Sequence, residues 1–448
     1  MVRLDKKKYL NKLRFKKSKR YIYLGISCLL VIFIGIYYSY SRYSVSKDTE
    51  VVKTTVGDFI SGDVVIGAYI DGEYSKSIPG KNDGYIVDKI VCDNDASASW
   101  DYNDWGILVN NLTKRTKCNI YFHKDYLATI ITQVDTTGKC PTVNNDGMVV
   151  VSSVEADNSL VCSAPDDYGT SFYFRGNVTN NYVKFAGFYW RIIRLNGDGT
   201  IRMIYDGTSA HTNDDTSEDR LIGKSAYNAK NDDNAYVGYM YGTIGASSYA
   251  ETHANKNDSV IKKYIDTWYE NNIKNTEYEQ YIGDNIFCNN RKVSTYNSNN
   301  FVNSGYGSVS TFYVNGMGPW SAPSDTLNAK MYFTCLQEND KLSVINSKYG
   351  TKTLKYGIGL ITRQELVLSG YYNNSATDKL YTNSGIKYYT MSPDAFNNEA
   401  GWKSQGTYIR AFNGIASTTD SIGVKPVINL KAGSITKGQG TISSPYEI

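Results

Sequence analysis

Hydrophobic and polar residues follow different patterns in successive parts of this chain of 448 residues. Residues 21–40 (YIYLGISCLLVIFIGIYYSY) contain no charged residue. This predicts a helix of about 30 Å, the thickness of the hydrocarbon core of a bilayer. From 54 to 123, short runs rich in Val, Ile and Tyr are separated by turn residues, which is typical of β-strands. Longer strand-like runs and amphipathic helices are predicted from 165 onward.

Charge is distributed unevenly around the apolar segment. Residues 1–20 contain ten basic residues and one acidic residue, a net charge of +9, so the rest of the chain carries −5 of the total of +4. An excess of Lys and Arg before the segment predicts a cytoplasmic N-terminus. No site of small residues follows for cleavage, so we expect an uncleaved signal anchor, with residues 41–448 outside the cell. Two alternatives are a buried core helix and a lipoprotein signal at Cys28, although Gly25 stands where a large aliphatic residue is expected.

These features predict six segments along the chain. They are a basic cytoplasmic tail at 1–20, a transmembrane signal anchor at 21–40, a stalk at 41–53, a small β-module at 54–123, a disulfide-stapled spacer at 124–164 and an α+β domain at 165–448. In the β-module, Asp71-Gly72 between apolar runs predicts a hairpin, and six or so strands are expected. Its acidic loop at 93–104 is interpreted as a solvated turn, with cation binding as the alternative.

Cysteine usage fits an exported protein. Apart from Cys28, which is expected to stay free, there are six cysteines and no Cys-x-x-Cys motif, so a zinc or thioredoxin-like site is not supported. Six cysteines allow fifteen pairings, of which pairing between sequence neighbours is the simplest. We expect the disulfides Cys92–Cys118, Cys140–Cys162 and Cys288–Cys335, each closing a short loop.

The last part of the chain combines strands with helices. Residues 182–206 contain two β-rich runs around Asn196-Gly197-Asp198-Gly199, which we interpret as a hairpin because position 12 of a calcium loop would be Gly207. Residues 260–273 show apolar positions with helical spacing, and a second helix is expected near 276–282. Thr362-Arg-Gln-Glu365 is a capping box that predicts a third helix, ending at Gly370. Helices among antiparallel strands indicate a β-rich α+β fold.

Several segments from 165 to 448 occur in an order that resembles a known family. They are YWRIIRLNGDG, IDTWYENN followed by FCNN, GLITRQELVLSG, KYYTMSP and GVKPVINL. Together they resemble a bacterial exported domain family of unknown function, related to the C-type-lectin-like and formylglycine-generating-enzyme-like folds. The resemblance covers about 60% of the chain. It implies a C-type-lectin-like α+β domain on a cell surface, and it implies no known activity.

The residues that catalyse reactions or bind calcium in those related folds do not occur in this sequence. Formylglycine-generating enzymes use two reactive cysteines late in the domain, whereas no cysteine follows Cys335. Calcium-dependent lectins use a Glu/Gln-Pro-Asn/Asp loop and a Trp-Asn-Asp strand, and neither tripeptide occurs. The histidines (His123, His211 and His253) are far apart in sequence and no Gly-x-Ser-x-Gly motif occurs. We therefore expect no catalytic residue, metal or cofactor, although a carboxylate pair for glycan hydrolysis stays open.

Aromatic residues in segments with loop composition are the candidate binding residues. Flat rings beside Asn, Ser and Gly suit sugar faces or protein partners. The candidates are Trp320, Tyr371, Tyr372, Tyr389 and Trp402, with Tyr306 and Tyr388 in similar segments. The alternative is that these rings belong to the core, because the chain has 40 Tyr and such a bias places Tyr everywhere.

The sequence therefore predicts a membrane-anchored surface protein that binds a glycan or a protein ligand without catalysis. One rival is an envelope enzyme, either a carboxylate-based glycan hydrolase or a degenerate formylglycine-type enzyme. Another is a purely structural scaffold. The expected partners are the membrane, crossed once, and an extracellular ligand, and nucleic acid is not expected.

Overall fold

A computed structural model describes residues 50–52, 64–81, 83–101, 105–110, 116–125, 130–131, 133–151, 158–294, 303–314, 329–371, 379–398 and 405–448. The chain divides into two compact units, one ending at His123 and one beginning at Lys124. Strands outnumber helices in both, so the β-rich character of the predicted fold is confirmed.

Two predictions are corrected here. One is the transmembrane helix of the predicted fold, and the other is the single-pass membrane localisation based on it. In the described ranges, no helix is long and apolar enough to cross a membrane. The longest helix there has 13 residues, whereas a membrane-spanning helix needs about 20. The predicted tail at 1–20 and anchor at 21–40 lie outside the described residues.

The first unit consists of two sheets that contain mainly antiparallel strand pairs. Its strands are β1 (Glu50–Val52), β2 (Val64–Ile70), β3 (Glu73–Ser75), β4 (Tyr85–Cys92), β5 (Ser97–Asp101), β6 (Gly106–Asn110) and β7 (Thr116–Lys124). One sheet has the order β1-β6-β5 and the other β3-β2-β7-β4, with β2 and β7 parallel. Strand β1 pairs with β6, so residues 50–52 of the expected stalk belong to a sheet. The predicted hairpin is present, since Asp71 and Gly72 both have positive φ between β2 and β3.

The second unit is built on a large sheet. Its strands are β8 (Thr142–Val143), β9 (Val149–Val151), β10 (Ser159–Asp166), β11 (Gly169–Gly176), β12 (Tyr182–Phe185), β13 (Phe188–Leu195), β14 (Ile201–Gly207), β15 (Gly223–Ser225), β16 (Met240–Tyr241), β17 (Asn257–Asp258), β18 (Phe287–Cys288), β19 (Thr311–Phe312), β20 (Ala329–Met331), β21 (Lys341–Leu342), β22 (Ile358–Leu360), β23 (Tyr389–Asn397), β24 (Gly406–Ala411), β25 (Gly414–Ser417), β26 (Ile422–Val424), β27 (Pro426–Leu430) and β28 (Tyr446–Glu447). The main sheet has the order β10-β11-β13-β14-β27-β22, with β12 joined to β13 and β28. A four-stranded sheet, β19-β23-β24-β25, and a three-stranded sheet, β20-β9-β8, accompany it.

Part of the predicted spacer at 124–164 belongs to these sheets. Strand β9 pairs with β20, and β10 pairs with β11 along its whole length. The side chains of Val149, Val151 and Leu160 pack in one apolar cluster with Met331. These residues therefore form part of the second unit's core.

The longer helices begin where the sequence predicts them, whereas the helix at Tyr249–Thr252 was not predicted. Within the described residues the helices are α1 (Tyr249–Thr252), α2 (Val260–Asn272) and α3 (Arg363–Leu368). Ser259 caps α2, and Thr362 forms a capping box with Glu365 at the start of α3. The helix expected at 276–282 is a single 3₁₀ turn at Glu279–Tyr281. The apolar face of α2 packs into the same core as the fully buried Trp190 of β13.

Candidate functional site

A cavity of about 320 Å³ lies beside strand β12 of the second unit. Its walls come from the turn between β11 and β12, the loop after β14, and two residues much later in the chain. The lining residues are Asn177, Thr179, Tyr182, Thr212, Asn213, Asp214, Lys379 and Ile442. The cavity thus presents amide, hydroxyl, carboxylate and ammonium groups beside apolar surface.

Asn213 joins three walls of the cavity. Its amide nitrogen donates to the side-chain oxygen of Asn177 at 2.9 Å and to the backbone oxygen of Val178 at 3.0 Å. The same nitrogen is 3.1 Å from the backbone oxygen of Lys379. Its side-chain oxygen accepts from the guanidinium of Arg191 at 2.9 Å. The Asn213 side chain is therefore a structural tie, and the neighbouring side chains are the groups that can face a ligand.

Several of those neighbours are exposed. Thr179 and Asp214 both have solvent-exposed side chains at the mouth of the cavity. A hydrogen bond from the Thr212 hydroxyl lowers the pKa of Asp214, so this group is a carboxylate at neutral pH. A carboxylate accepts hydrogen bonds from ligand hydroxyls, and bonds to a charged acceptor are the stronger ones.

The loop that carries Thr212 to Asp214 is held by His211. Its Nδ1 atom lies 3.0 Å from Oδ2 of Asp215 and its Nε2 atom lies 3.1 Å from Oδ2 of Asp219. A Cβ atom at Gly207 would lie 2.7 Å from Nε2, so glycine at the end of β14 allows the ring to fold back against the strand. The imidazole is buried, whereas both carboxylates are about one-third exposed. His211 therefore acts as a clip that closes the loop.

The same loop contains Ser, His and Asp at hydrogen-bonding distance. Oγ of Ser209 lies 3.2 Å from Nε2 of His211, whose other nitrogen faces Asp215. In a catalytic triad, Nε2 must be able to take the serine proton. Here Nε2 also faces the carboxylate of Asp219, a second partner that competes with Ser209 for this nitrogen. The arrangement fits a loop clip better than a nucleophile with its base.

Beneath the cavity lies a cluster of buried charges. The Arg191 guanidinium packs on the Tyr182 ring at 3.7 Å from the ring centre. Asp206 accepts from two nitrogens of Arg220 at 2.9 and 2.7 Å, and lies 3.4 Å from the Lys425 ammonium. All four charged side chains are inaccessible to solvent. Burial lowers the pKa of Lys425 to about 7.

A second buried cluster contains Glu365 of the capping box. Its carboxylate pairs with Arg202, and with Arg194, which also pairs with Asp166 at 2.7 Å. Burial raises the pKa of Glu365, but the two guanidinium charges outweigh burial, so the pKa lies below its ordinary value. The adjoining cavity of about 20 Å³ has room for one water molecule at most. This cluster is structural.

Two of the predicted binding residues are buried rather than exposed. Tyr371 is 1% exposed, and its hydroxyl accepts from the backbone N–H of Asn413. Tyr389 is 0% exposed, and its hydroxyl donates to backbone oxygens. A tyrosine whose hydroxyl is satisfied in this way packs well in a core, so neither ring can meet a ligand. Tyr388 is also fully buried. Trp320, Tyr372 and Trp402 lie outside the described residues.

The predicted disulfides are confirmed. Cys92 is bonded to Cys118, Cys140 to Cys162 and Cys288 to Cys335, with Cα–Cα distances of 4.0, 5.6 and 5.6 Å. All six of these cysteines are therefore in disulfide bonds and none of them has a free thiol. Cys335 in particular is not free for formylglycine-type chemistry. Cys28 lies outside the described residues.

Sequence reasoning missed the lining residues because they are distant in sequence. The three histidines are far apart in sequence, and that spacing gives no indication of a site at His211. The His-x-x-x-Asp spacing of His211 and Asp215 is the one local signal of the clip. Nothing local links Asn177 to Lys379.

Comparisons with known proteins do not assign this chain to a family. No family model matches the chain, and no curated protein or solved structure is significantly similar to it. The resemblance to the lectin-like and formylglycine-generating-enzyme-like folds therefore stays a prediction. Among the described residues, no group of three or more His, Cys, Asp or Glu side chains is arranged to hold a metal ion.

Proposed function

We propose that the second unit is a recognition domain that binds a saccharide in the cavity beside β12 and does not transform it. The observation that carries the proposal is the cavity itself, with exposed Thr179 and Asp214 at its mouth and the Asn177 amide in its wall. Small-ligand sites are concave, with volumes of about 300–1,000 Å³ and a few polar groups. A cavity of about 320 Å³ falls at the small end of that range.

The chemistry of the lining favours a saccharide. Sugar hydroxyls both donate and accept hydrogen bonds, and the lining supplies a carboxylate acceptor, amide groups and hydroxyls. The exposed side chain of Ile442 adds apolar area for the C–H groups of a sugar. A protein ligand would need a broad surface of about 800 Å², which a concave site of this size does not supply.

The lining also favours binding over hydrolysis. Glycoside hydrolysis uses two carboxyl groups on either side of the scissile bond. Among the described lining residues, Asp214 is the one carboxylate. Asp215 and Asp219 face His211 instead. The described lining residues therefore do not place a catalytic acid and base around this cavity.

A glycan array probed with the full-length chain tests the proposal. We expect specific retention on one group of saccharides, and we expect the bound sugar to be recovered unchanged by mass spectrometry. Asp214→Asn should strongly reduce the array signal, whereas Asp232→Asn, a control at an exposed aspartate on another loop, should keep it. Absence of any saccharide signal from the correctly disulfide-bonded protein would refute the proposal.

A further inference from the structure

Arg363, the first residue of α3, is a buried arginine without a counter-ion of its own. It is 5% exposed, and its backbone N–H donates to the Ser392 hydroxyl of β23 at 3.0 Å. Among the residues that the structure describes, none accepts a hydrogen bond from the Arg363 guanidinium or forms an ion pair with it. A buried guanidinium is almost always paired, because an uncompensated charge in the interior is costly. The position of Arg363 therefore calls for an acceptor.

Other buried arginines of the second unit show the usual arrangement. Arg220 donates to Asp206 from two nitrogens, at 2.9 and 2.7 Å. Arg291 donates to Asp340 at 2.7 Å. Both are fully buried, and each has a carboxylate within the chain. Arg363 resembles them in burial and differs from them in lacking that carboxylate.

The carboxylate whose charge acts on Arg363 is already engaged. Asp394 of β23 forms an ion pair with Arg410 of β24, and both side chains are largely buried. Burial lowers the pKa of Arg363, and the positive charge of Arg410 lowers it further, to about 9. The Arg363 guanidinium is thus still charged at neutral pH, with a like charge in its surroundings.

Hydrogen bonds fix the backbone that carries these groups. The bond from the Arg363 N–H to Ser392 ties the start of α3 to β23. The Thr390 hydroxyl of β23 donates to the backbone oxygen of Arg410 at 2.7 Å, which ties β23 to β24. A charged group held in place by its scaffold loses little freedom when a ligand binds. Arg363 is therefore preorganised for an acceptor that comes from outside the chain.

The charge and shape of the guanidinium indicate which acceptor fits. A planar guanidinium forms two parallel hydrogen bonds with a carboxylate, which carries one negative charge. A phosphate group carries about −1.5 to −2 at neutral pH, which exceeds the single charge of Arg363 and would be repelled by Asp394. The small exposed fraction of Arg363 admits a small group. We propose that the second unit has a further ligand site, in which the Arg363 guanidinium binds the carboxylate of a small molecule independently of the cavity beside β12.

Thermal unfolding of the full-length chain in sodium acetate tests this site. Sodium chloride replaces acetate at constant ionic strength, so that general effects of salt cancel. A ligand that binds only the folded state raises the melting temperature as its concentration rises. We expect millimolar acetate to raise the melting temperature of the parent chain, and inorganic phosphate to raise it less.

Matched variants assign this effect to Arg363. Arg363→Met removes the charge and keeps an unbranched side chain, so the rise with acetate should disappear. Lys230→Met, which removes one charge at an exposed lysine, should keep the rise, and so should Asp214→Asn in the cavity. Arg363→Lys keeps the charge without the planar fork, so it should bind acetate more weakly than the parent chain. This variant keeps the test decisive if Arg363→Met does not fold.

Three results would overturn the proposal. The first is a melting temperature that acetate does not raise above its value in chloride. The second is a larger rise with phosphate than with acetate, which would indicate a phosphate site instead. The third is a rise in folded Arg363→Met, or in Arg363→Lys, equal to that of the parent chain.

Discussion

Nδ1 of His211 lies 3.0 Å from Oδ2 of Asp215, four residues later in the same loop. With the contact between Nε2 and Asp219, this bond fixes the loop that supplies Thr212, Asn213 and Asp214 to the cavity. The side chains that close the loop are therefore distinct from those that can meet a ligand. This separation lets stability and binding be tested by different variants.

Replacement of His211 should loosen the loop. We expect His211→Ala to lower the free energy of unfolding by about 1–2 kcal/mol, because two hydrogen bonds to partly exposed carboxylates are lost. Saccharide binding should weaken as well, since Asp214 loses its fixed position. Chemical denaturation measures the first effect, with His123→Ala in the other unit as the matched substitution. Unchanged stability would mean that the clip does not hold the loop.

Ser209 should be unreactive towards serine-hydrolase probes. Asp219 and Ser209 compete for Nε2 of His211, so the imidazole is poorly placed to take the proton of the Ser209 hydroxyl. Incubation of the full-length chain with a fluorophosphonate should leave its intact mass unchanged. A covalent adduct that is lost in Ser209→Ala would instead establish a nucleophile and contradict the binding-only account.

Lys425 should make stability rise with pH. Its pKa is about 7 in the folded state, whereas the ordinary value is 10.5. Between these pH values the unfolded chain binds more protons, so the free energy of unfolding should increase as pH rises from about 7 to 10.5. Lys425→Met should remove much of this rise and stabilise the protein at pH 6–7 by about 1–4 kcal/mol, because Arg220 still pairs with Asp206. Equal pH dependence in the two proteins would contradict this reading.

Glu365 should be essential for stability. Glu365→Gln leaves the buried guanidinium groups of Arg194 and Arg202 without their shared carboxylate. Breaking a buried ion pair in this way costs about 3–5 kcal/mol. Thermal and chemical denaturation should show this loss, and Glu338→Gln, at an exposed glutamate, should cause little change. A small effect at Glu365 would show that its cluster is hydrated.

Local signals in the sequence predicted local structure well. The Asp71-Gly72 hairpin, the Thr362–Glu365 capping box and helix α2 depend on residues close together in sequence, and all three are present. The disulfides joined sequence neighbours, so they too were predictable. The apolar pattern at 21–40 predicted a transmembrane helix, a prediction corrected by the described helices, none of which can cross a membrane.

The candidate site was not predictable by the same means. Its walls meet because β12, the loop after β14 and Lys379 converge in three dimensions, and Asn213 joins them across 166 residues of sequence. The bias towards tyrosine also concealed which rings are exposed. Tyr371 and Tyr389 have loop-like neighbours in sequence, yet their hydroxyls bond to backbone groups in the interior.

The most direct test of the central claim is a calorimetric titration of the full-length chain with the saccharide that the array selects. We predict that Asp214→Asn raises Kd about tenfold, equivalent to about 1.4 kcal/mol, because a charged acceptor is lost. Asp232→Asn should bind like the parent chain, and the sugar should stay intact. An unchanged Kd in Asp214→Asn, or cleavage of the sugar, would contradict saccharide recognition in this cavity.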